Sequence, residues 1–435
     1  MAAALLAGAL ALTPLASARG AETATPDDAA RFLAGLPPAA DSPLAALAKS
    51  SAWQQHAKHF DALFGHVQSA ELAKIAAFSR AQLPDKHDTM LYMFSGPDFL
   101  YPSAFFPSAS TYVLSGLEPV GDIPQLSALK RAAVDGSLQR LENSLNSILN
   151  FSFFITHNMK TELSGGQVYG TLPILYVFLA RTGKTVHDVS LVSLDEAGDL
   201  KSADEPGYKA HGAAPGAKIV FSDGDHPNQT LYYFSTNLAD GSVERSGFLT
   251  FCDRLGSDDD SFLKSASYLL HSGGFERVRR FILDHSATVV EDDSGIPLAS
   301  FDPKKWRLRP FGRYVGPLSI FGQYNQPQMA RLFRDANAPP LDFGLGYRWR
   351  TNESNLLIAE KIAPGTAETE PTHTATPHSP APHAATNRQD KSKEAKSRRT
   401  KVAAEGPARP RRKKAETPQG GQFGCRGLFP FCSAD

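Results

Sequence analysis

Two short segments of the chain end alike: Tyr92-Met-Phe-Ser95-Gly96-Pro97-Asp98 and, twenty positions on, Tyr112-Val-Leu-Ser115-Gly116-Leu117-Glu118. Each apolar run has strand length, stops at Ser-Gly and offers a carboxylate two residues later, as a buried strand does on leaving a sheet. A third run, Ile219-Val-Phe-Ser222-Asp223-Gly224-Asp225, ends in the same manner. Were these strands parallel neighbours about 4.8 Å apart, their acids would gather along one sheet edge, where open α/β folds bind ligands. Asp98, Glu118, Asp223 and Asp225 could then divide into general acid and base, or hold a divalent metal ion through oxygen ligands. The plainer alternative is that acids in polar turns cap helices and satisfy backbone amides.

Three further groups carry chemical side chains. His157 closes the apolar run from Phe151 to Thr156, with Ser164-Gly165-Gly166 shortly after it. It joins Asp98 and Glu118 as a catalytic candidate, although no Gly-x-Ser-x-Gly elbow accompanies it and a lone histidine there serves equally as hydrogen-bonded structure. His226, beside Asp223 and Asp225, completes a candidate metal-ligand set or else belongs to a loop. Residues 302–353 hold nine Lys/Arg against four Asp/Glu with aromatic residues between them. There Arg313, Arg348 and Trp349 are the substrate-binding candidates, because guanidinium groups clamp carboxylates or phosphates and aromatic faces stack on sugars. Asp292-Asp293-Ser294-Gly295 reads first as a turn. Gly96 alone does not make a Gly-x-Gly-x-x-Gly dinucleotide signature, and the sequence contains no Walker A, His-Glu-x-x-His or specific nucleic-acid motif.

The elements that must position these residues follow from periodicity. A short helix begins at Pro26-Asp27-Asp28, and Leu44 to Gln82 reads as largely helical. Strands are expected at Thr89–Phe94 and Thr111–Leu114. The link between them is long enough for a parallel crossover, but Pro102 and Pro107 leave any helix in it short. An antiparallel pairing stays open and would place the two acids at opposite ends. Leucines recurring at three- and four-residue steps predict a helix over Pro124–Leu149, and Val168–Leu179 is apolar nearly all round. Lys218–Ser222 and Thr230–Ser235 predict a hairpin. Phe262–Leu270 and Phe275–Leu283 read as helical. Phe343, Leu345, Tyr347 and Trp349 alternate strictly, predicting a last hairpin with Leu356 and Ile358.

The resulting expectation is one large α/β domain over 25–362, with a mixed, partly parallel sheet and antiparallel hairpins in its second half. The 435 residues and 42% hydrophobic content suffice for a real core. Residues 1–18 read as a signal peptide, ending at Ala16-Ser17-Ala18, and so predict an exported, periplasmic or extracellular protein. Beyond it no apolar run is long enough to cross a bilayer as a helix. Residues 364–420 form a Pro/His- and then Lys/Arg-rich linker with too few large apolar groups to fold. At 421–435, Cys425 and Cys432 could close a small aromatic motif. The zero net charge conceals an acidic body and a basic stretch of net +9 at 388–414. Two function classes follow. One is an exported hydrolase using the strand-end carboxylates on an anionic or sugar-bearing substrate; the other is a non-catalytic scaffold that binds an anionic envelope component or polysaccharide, its basic tail engaging a second partner.

Overall fold

The computed structural model describes residues 23–83, 87–153, 168–208 and 212–363. The expected signal peptide, His157, the linker at 364–420 and the Cys425/Cys432 motif lie outside the described residues.

The chain opens with α1 (Pro26–Leu33), where Pro26 occupies the first turn and the Thr25 hydroxyl accepts from the Asp28 amide at 3.1 Å. Helix α2 (Ser51–Val67) is capped by Ser50 and runs through a π-turn at Gln68–Leu72 into α3 (Ala73–Gln82). Two strands follow, β1 (Thr89–Tyr92) and β2 (Thr111–Gly116), joined through the short helix α4 (Leu100–Phe105). Helix α5 (Arg131–Phe151) buries Val134, Leu138, Leu141, Leu145 and Ile148 on one stripe, and α6 (Leu172–Arg181) buries every residue from Leu172 to Ala180. The middle of the chain supplies β3 (Thr185–Leu194), β4 (Leu200–Ser202), β5 (Ala214–Ser222) and β6 (Gln229–Ser235). After them come α7 (Asp240–Val243), α8 (Phe248–Leu255), β7 (Asp259–Leu263), α9 (Glu276–His285) and β8 (Ser286–Glu291). The last elements are β9 (Trp306–Gly312), α10 (Pro327–Asp335) and β10 (Asn355–Lys361).

All ten strands form one sheet in the order β4-β3-β5-β6-β2-β1-β7-β8-β10-β9. The five central strands, β6-β2-β1-β7-β8, are mutually parallel, whereas both wings are antiparallel. The fold is therefore mixed α/β with a partly parallel sheet, as the sequence implies. Side chains alternate between two buried layers. Met90, Tyr92, Tyr112, Leu114 and Phe262 join one core, packed with the N-terminal helices. Leu91, Met93, Val113, Leu263 and Val289 join the other, with α8, α9 and α10. The order of the parallel strands reverses at β1: the chain builds outward through β2 to β6, then returns to lay β7 and β8 on β1's other side. The exits of β1 and β7 thus flank a topological switch point, the place where a crevice opens in doubly wound sheets.

Several sequence expectations need correction. The helix of residues 131–151 starts at Arg131, not near Pro124, because a 3₁₀ turn at Leu126–Ala128 intervenes. Phe262 and Leu263 belong to β7 rather than to a helix, and the turns that follow are 3₁₀. Phe343–Trp349 is not a strand. Apart from one isolated bridge between Leu345 and Arg348, its amides turn to side chains, Gly344 N to Glu71 Oε2 at 2.8 Å and Gly346 N to Ser152 Oγ at 3.1 Å. The segment is a strap whose alternation comes from packing Phe343 and Leu345 onto the core.

Candidate functional site

The two Ser-Gly exits are bonded to each other. Parallel pairing of Met90 with Tyr112 and Tyr92 with Leu114 brings Ser95 beside Ser115. Ser95 Oγ accepts from Ser115 N at 3.1 Å, and Gly96 N donates to Ser115 O at 3.1 Å. Glycine is needed at 116, since an added β carbon would lie 2.4 Å from Glu118 Oε2 and 2.8 Å from Gly96 Cα. Asp98 and Glu118 consequently leave the same edge, both buried.

From there the two carboxylates serve different neighbours. Glu118 stays over the exit of β2, where its backbone oxygen accepts from Tyr233 OH at 2.9 Å. Asp98 reaches across the switch point. Its Oδ2 lies 2.7 Å from Lys264 Nζ and 3.2 Å from Tyr92 OH, and both charged side chains are 2% exposed. Lys264 follows directly on β7. Its ammonium also donates to Ser152 O at 2.7 Å and sits 3.4 Å from the centre of the Tyr101 ring. Burial pushes the lysine below its ordinary range, a shift opposed first by Asp98 and then by Asp292 and Glu71.

Strand β8 contributes the opposite wall. Beyond it, Asp292 Oδ1 accepts from Ser294 N at 2.9 Å and from the Ser294 hydroxyl, while Oδ2 accepts from Ser265 N at 3.2 Å. Burial first, and the neighbouring Asp293 second, push Asp292 up from the usual carboxylate range. Asp293 is held by Tyr268 OH at 2.6 Å and Asn355 Nδ2 at 3.1 Å. Burial also drives Glu291 well up, and Ile296 N donates to it at 2.7 Å. On the near side Glu71, in the π-turn, is raised to about 7, chiefly by burial. One ammonium therefore faces Asp98, Asp292 and Glu71, and the shifts of Lys264, Asp292 and Glu71 are of the kind that cluster at working sites.

The remaining candidates lie elsewhere. Strand β5 runs antiparallel to β6, so its end, carrying Asp223, Asp225 and His226, falls on the opposite edge from Asp98 and Glu118. Asp223 is consumed there: Lys184 pairs with it, and the amides of Asp225 and His226 donate to it at 3.0 and 2.8 Å. Asp223 is lowered to about 2, its Lys184 and amide bonds outweighing the opposing effect of burial. Among the described residues no group of three or more acidic, histidine or cysteine side chains could hold a metal ion. Arg348 is spent on the carbonyls of Gly316 and Pro317 and on Glu353 at 3.2 Å. Trp349 packs edge-on against Phe151 with the Arg350 guanidinium over its ring, and Arg313 is exposed. Cys252 is buried and free, its thiol raised by burial.

Reading the sequence alone missed Lys264, Ser265, Asp292 and Asp293 as a group. The Asp292-Asp293 pair was visible, but nothing local ties it to Lys264. An open pocket of about 760 Å³ lies further along the same edge, lined by Asp122, Tyr169, Glu205 and Tyr208 among other described residues. Tyr169 OH donates to Asp122 Oδ2 at 3.0 Å within it. Compared with family models, curated proteins and solved structures, the chain matches none.

Proposed function

We propose that the protein is an exported hydrolase working in the crevice between the exits of β1 and β7. The observation that carries the reading is the Asp98–Lys264 pair, closed at 2.7 Å across the topological switch point, with Asp292 reaching the same loop from β8. Export is the expectation from the N-terminal sequence. In the crevice, Lys264 and Asp98 supply a fixed dipole for a polar substrate group, and Asp292, raised by burial, exchanges a proton near neutral pH. The carboxylates of Asp98, Asp292 and Glu71 around Lys264 favour a substrate without negative charge over an anionic one.

The test is turnover of ester, amide, phosphate and glycoside reporters by the whole chain, beside Asp98→Asn and Asp292→Asn. Hydrolysis that falls by about 100-fold or more in both variants supports the reading. Turnover at the parental rate in both would sink it.

A further inference from the structure

We propose that Ser265 is the nucleophile of this hydrolase, attacking the carbonyl carbon of a carboxylic ester whose acyl group bears no negative charge, with Asp292 as its base. The proposal rests on the hydrolase reading and names the residue that would carry its chemistry.

The geometry makes the case in three parts. Ser265 sits where β7 turns into the 3₁₀ helix Ala266–His271, at φ 64, ψ −88. That backbone region is strained for any residue with a β carbon, and a strained strand-to-helix turn is the device that exposes a nucleophilic hydroxyl at the end of a sheet. Phe94 and Ser152, two of the other positive-φ non-glycine residues, lie at the same end of the sheet. Second, Ser265 is 5% exposed, yet its Oγ has no hydrogen-bond partner among the described residues. A buried hydroxyl left unbonded is costly and calls for an explanation. Third, the base is at hand. A β carbon placed on Gly346 would lie 2.1 Å from Asp292 Oδ2 and 3.0 Å from Ser265 Oγ, so both oxygens pack against the same spot on that glycine and are close neighbours, with no hydrogen bond yet joining them.

The reaction balances with water as the only co-reactant. Ser265 Oγ bonds to the ester carbon while its proton passes to Asp292 Oδ2. The tetrahedral centre then expels the alcohol, which takes that proton. Water attacks the acyl-serine, giving a proton to Asp292; the carbon–Oγ bond breaks, and Ser265 regains the proton as the acid leaves. An alcohol departs more readily than an amine, so an ester is the substrate that a carboxylate base serves best. Surrounding carboxylates, Asp98, Asp292, Asp293 and Glu71, disfavour an anionic acyl group.

The experiment uses the whole chain. A fluorophosphonate probe, which loses fluoride on bonding to an activated serine, is followed by peptide mapping, and turnover of p-nitrophenyl acetate and butyrate is measured alongside. The expected result is one adduct, on the peptide bearing Ser265, absent from Ser265→Ala and retained in Ser267→Ala, whose hydroxyl is also buried and unpartnered. Ester turnover should fall by about 10³-fold in Ser265→Ala, and Asp292→Asn should lose the rising limb of the pH profile. An unlabelled folded protein, an adduct elsewhere, or Ser265→Ala with parental turnover overturns the proposal. If turnover survives Ser265→Ala yet collapses in Asp98→Asn, the nucleophile is wrong and the hydrolase reading stands; if no reporter is turned over, the reading itself falls. A melting temperature in Ser265→Ala at or above the parental value excludes misfolding as the cause of lost labelling.

Discussion

Replacing Ser265 with glycine should make the protein more stable. At φ 64, ψ −88 the serine backbone holds strain of about 1–3 kcal/mol, which glycine sheds. Its buried Oγ, unbonded among the described residues, costs roughly another 1–3 kcal/mol that also disappears. Opposing these, glycine loses about 0.5–1 kcal/mol more chain entropy on folding, and the vacated β carbon forfeits about 0.8 kcal/mol of burial. The balance is a gain centred on about 2.5 kcal/mol and spanning about 0.2–5 kcal/mol. Over about 340 folded residues, at about 2.1 cal/mol/K each, the central value raises Tm by about 3–4 °C. Ser265→Ala keeps the strain and removes only the hydroxyl, so it should gain about 1 kcal/mol and separate the two contributions. Urea denaturation followed by tryptophan fluorescence measures both. A loss of more than about 1 kcal/mol in Ser265→Gly would refute the reasoning, because the turn would then be anchored by the serine rather than strained by it.

Other expectations concern the same crevice. Lys264→Met, which strands buried Asp98 without its cation, should cost about 3–5 kcal/mol, and Lys264→Met combined with Asp98→Leu should recover most of it; equal losses in single and double variants would break the argument. Gly346→Ala should cost about 2–4 kcal/mol, since residue 346 has φ 57 and its new β carbon would meet Asp292 Oδ2, a carboxylate too tightly bonded to move; a parental urea midpoint would contradict this. His271, lowered from 6.5 to about 4 mainly by burial, takes up its proton more readily when unfolded, so stability is lost as pH falls between those values, and His271→Gln should flatten that decline. Glu71 has the opposite sign. Raised from 4.5 to about 7, it contributes stability that is present below 4.5 and lost as pH rises towards 7, and Glu71→Gln should flatten that loss in denaturation series across the window.

The core of the sheet's first half was legible because strands β1 and β2 are apolar runs with a turn signal at their ends. Thr89–Tyr92 and Thr111–Gly116 are such runs, and the Ser-Gly exits they share do meet. Strand β7 was hidden. It begins with Asp259 and Asp260, and two buried acids in a five-residue strand contradict every local signal. Only partners distant in sequence make it tolerable, as when His87 meets Asp260 with Nδ1 at 2.8 Å. Losing β7 also lost Lys264 and Ser265, which then fell inside a supposed helix. Asp98 could be suspected from its position, but its partner lies on a strand placed by topology alone. The strap failed for another reason: strict alternation records which side chains are buried, and an extended segment bonded to Glu71 and Ser152 shows the same alternation as a paired strand.

Strands β1 and β7 pair in parallel through a short register, Met90 with Asp260 and Leu91 with Ser261. These positions are about 170 residues apart, and joining ends so distant costs chain entropy before any contact repays it. Local pairing such as the β5–β6 hairpin can form early, whereas this seam requires both halves of the sheet to exist first. A chain halted before the seam closes would contain Asp98, Lys264, Ser265 and Asp292 without bringing them together. If the proposed hydrolysis is found, its recovery after dilution from denaturant should therefore keep pace with the slowest refolding phase, a clock for the final step of assembly.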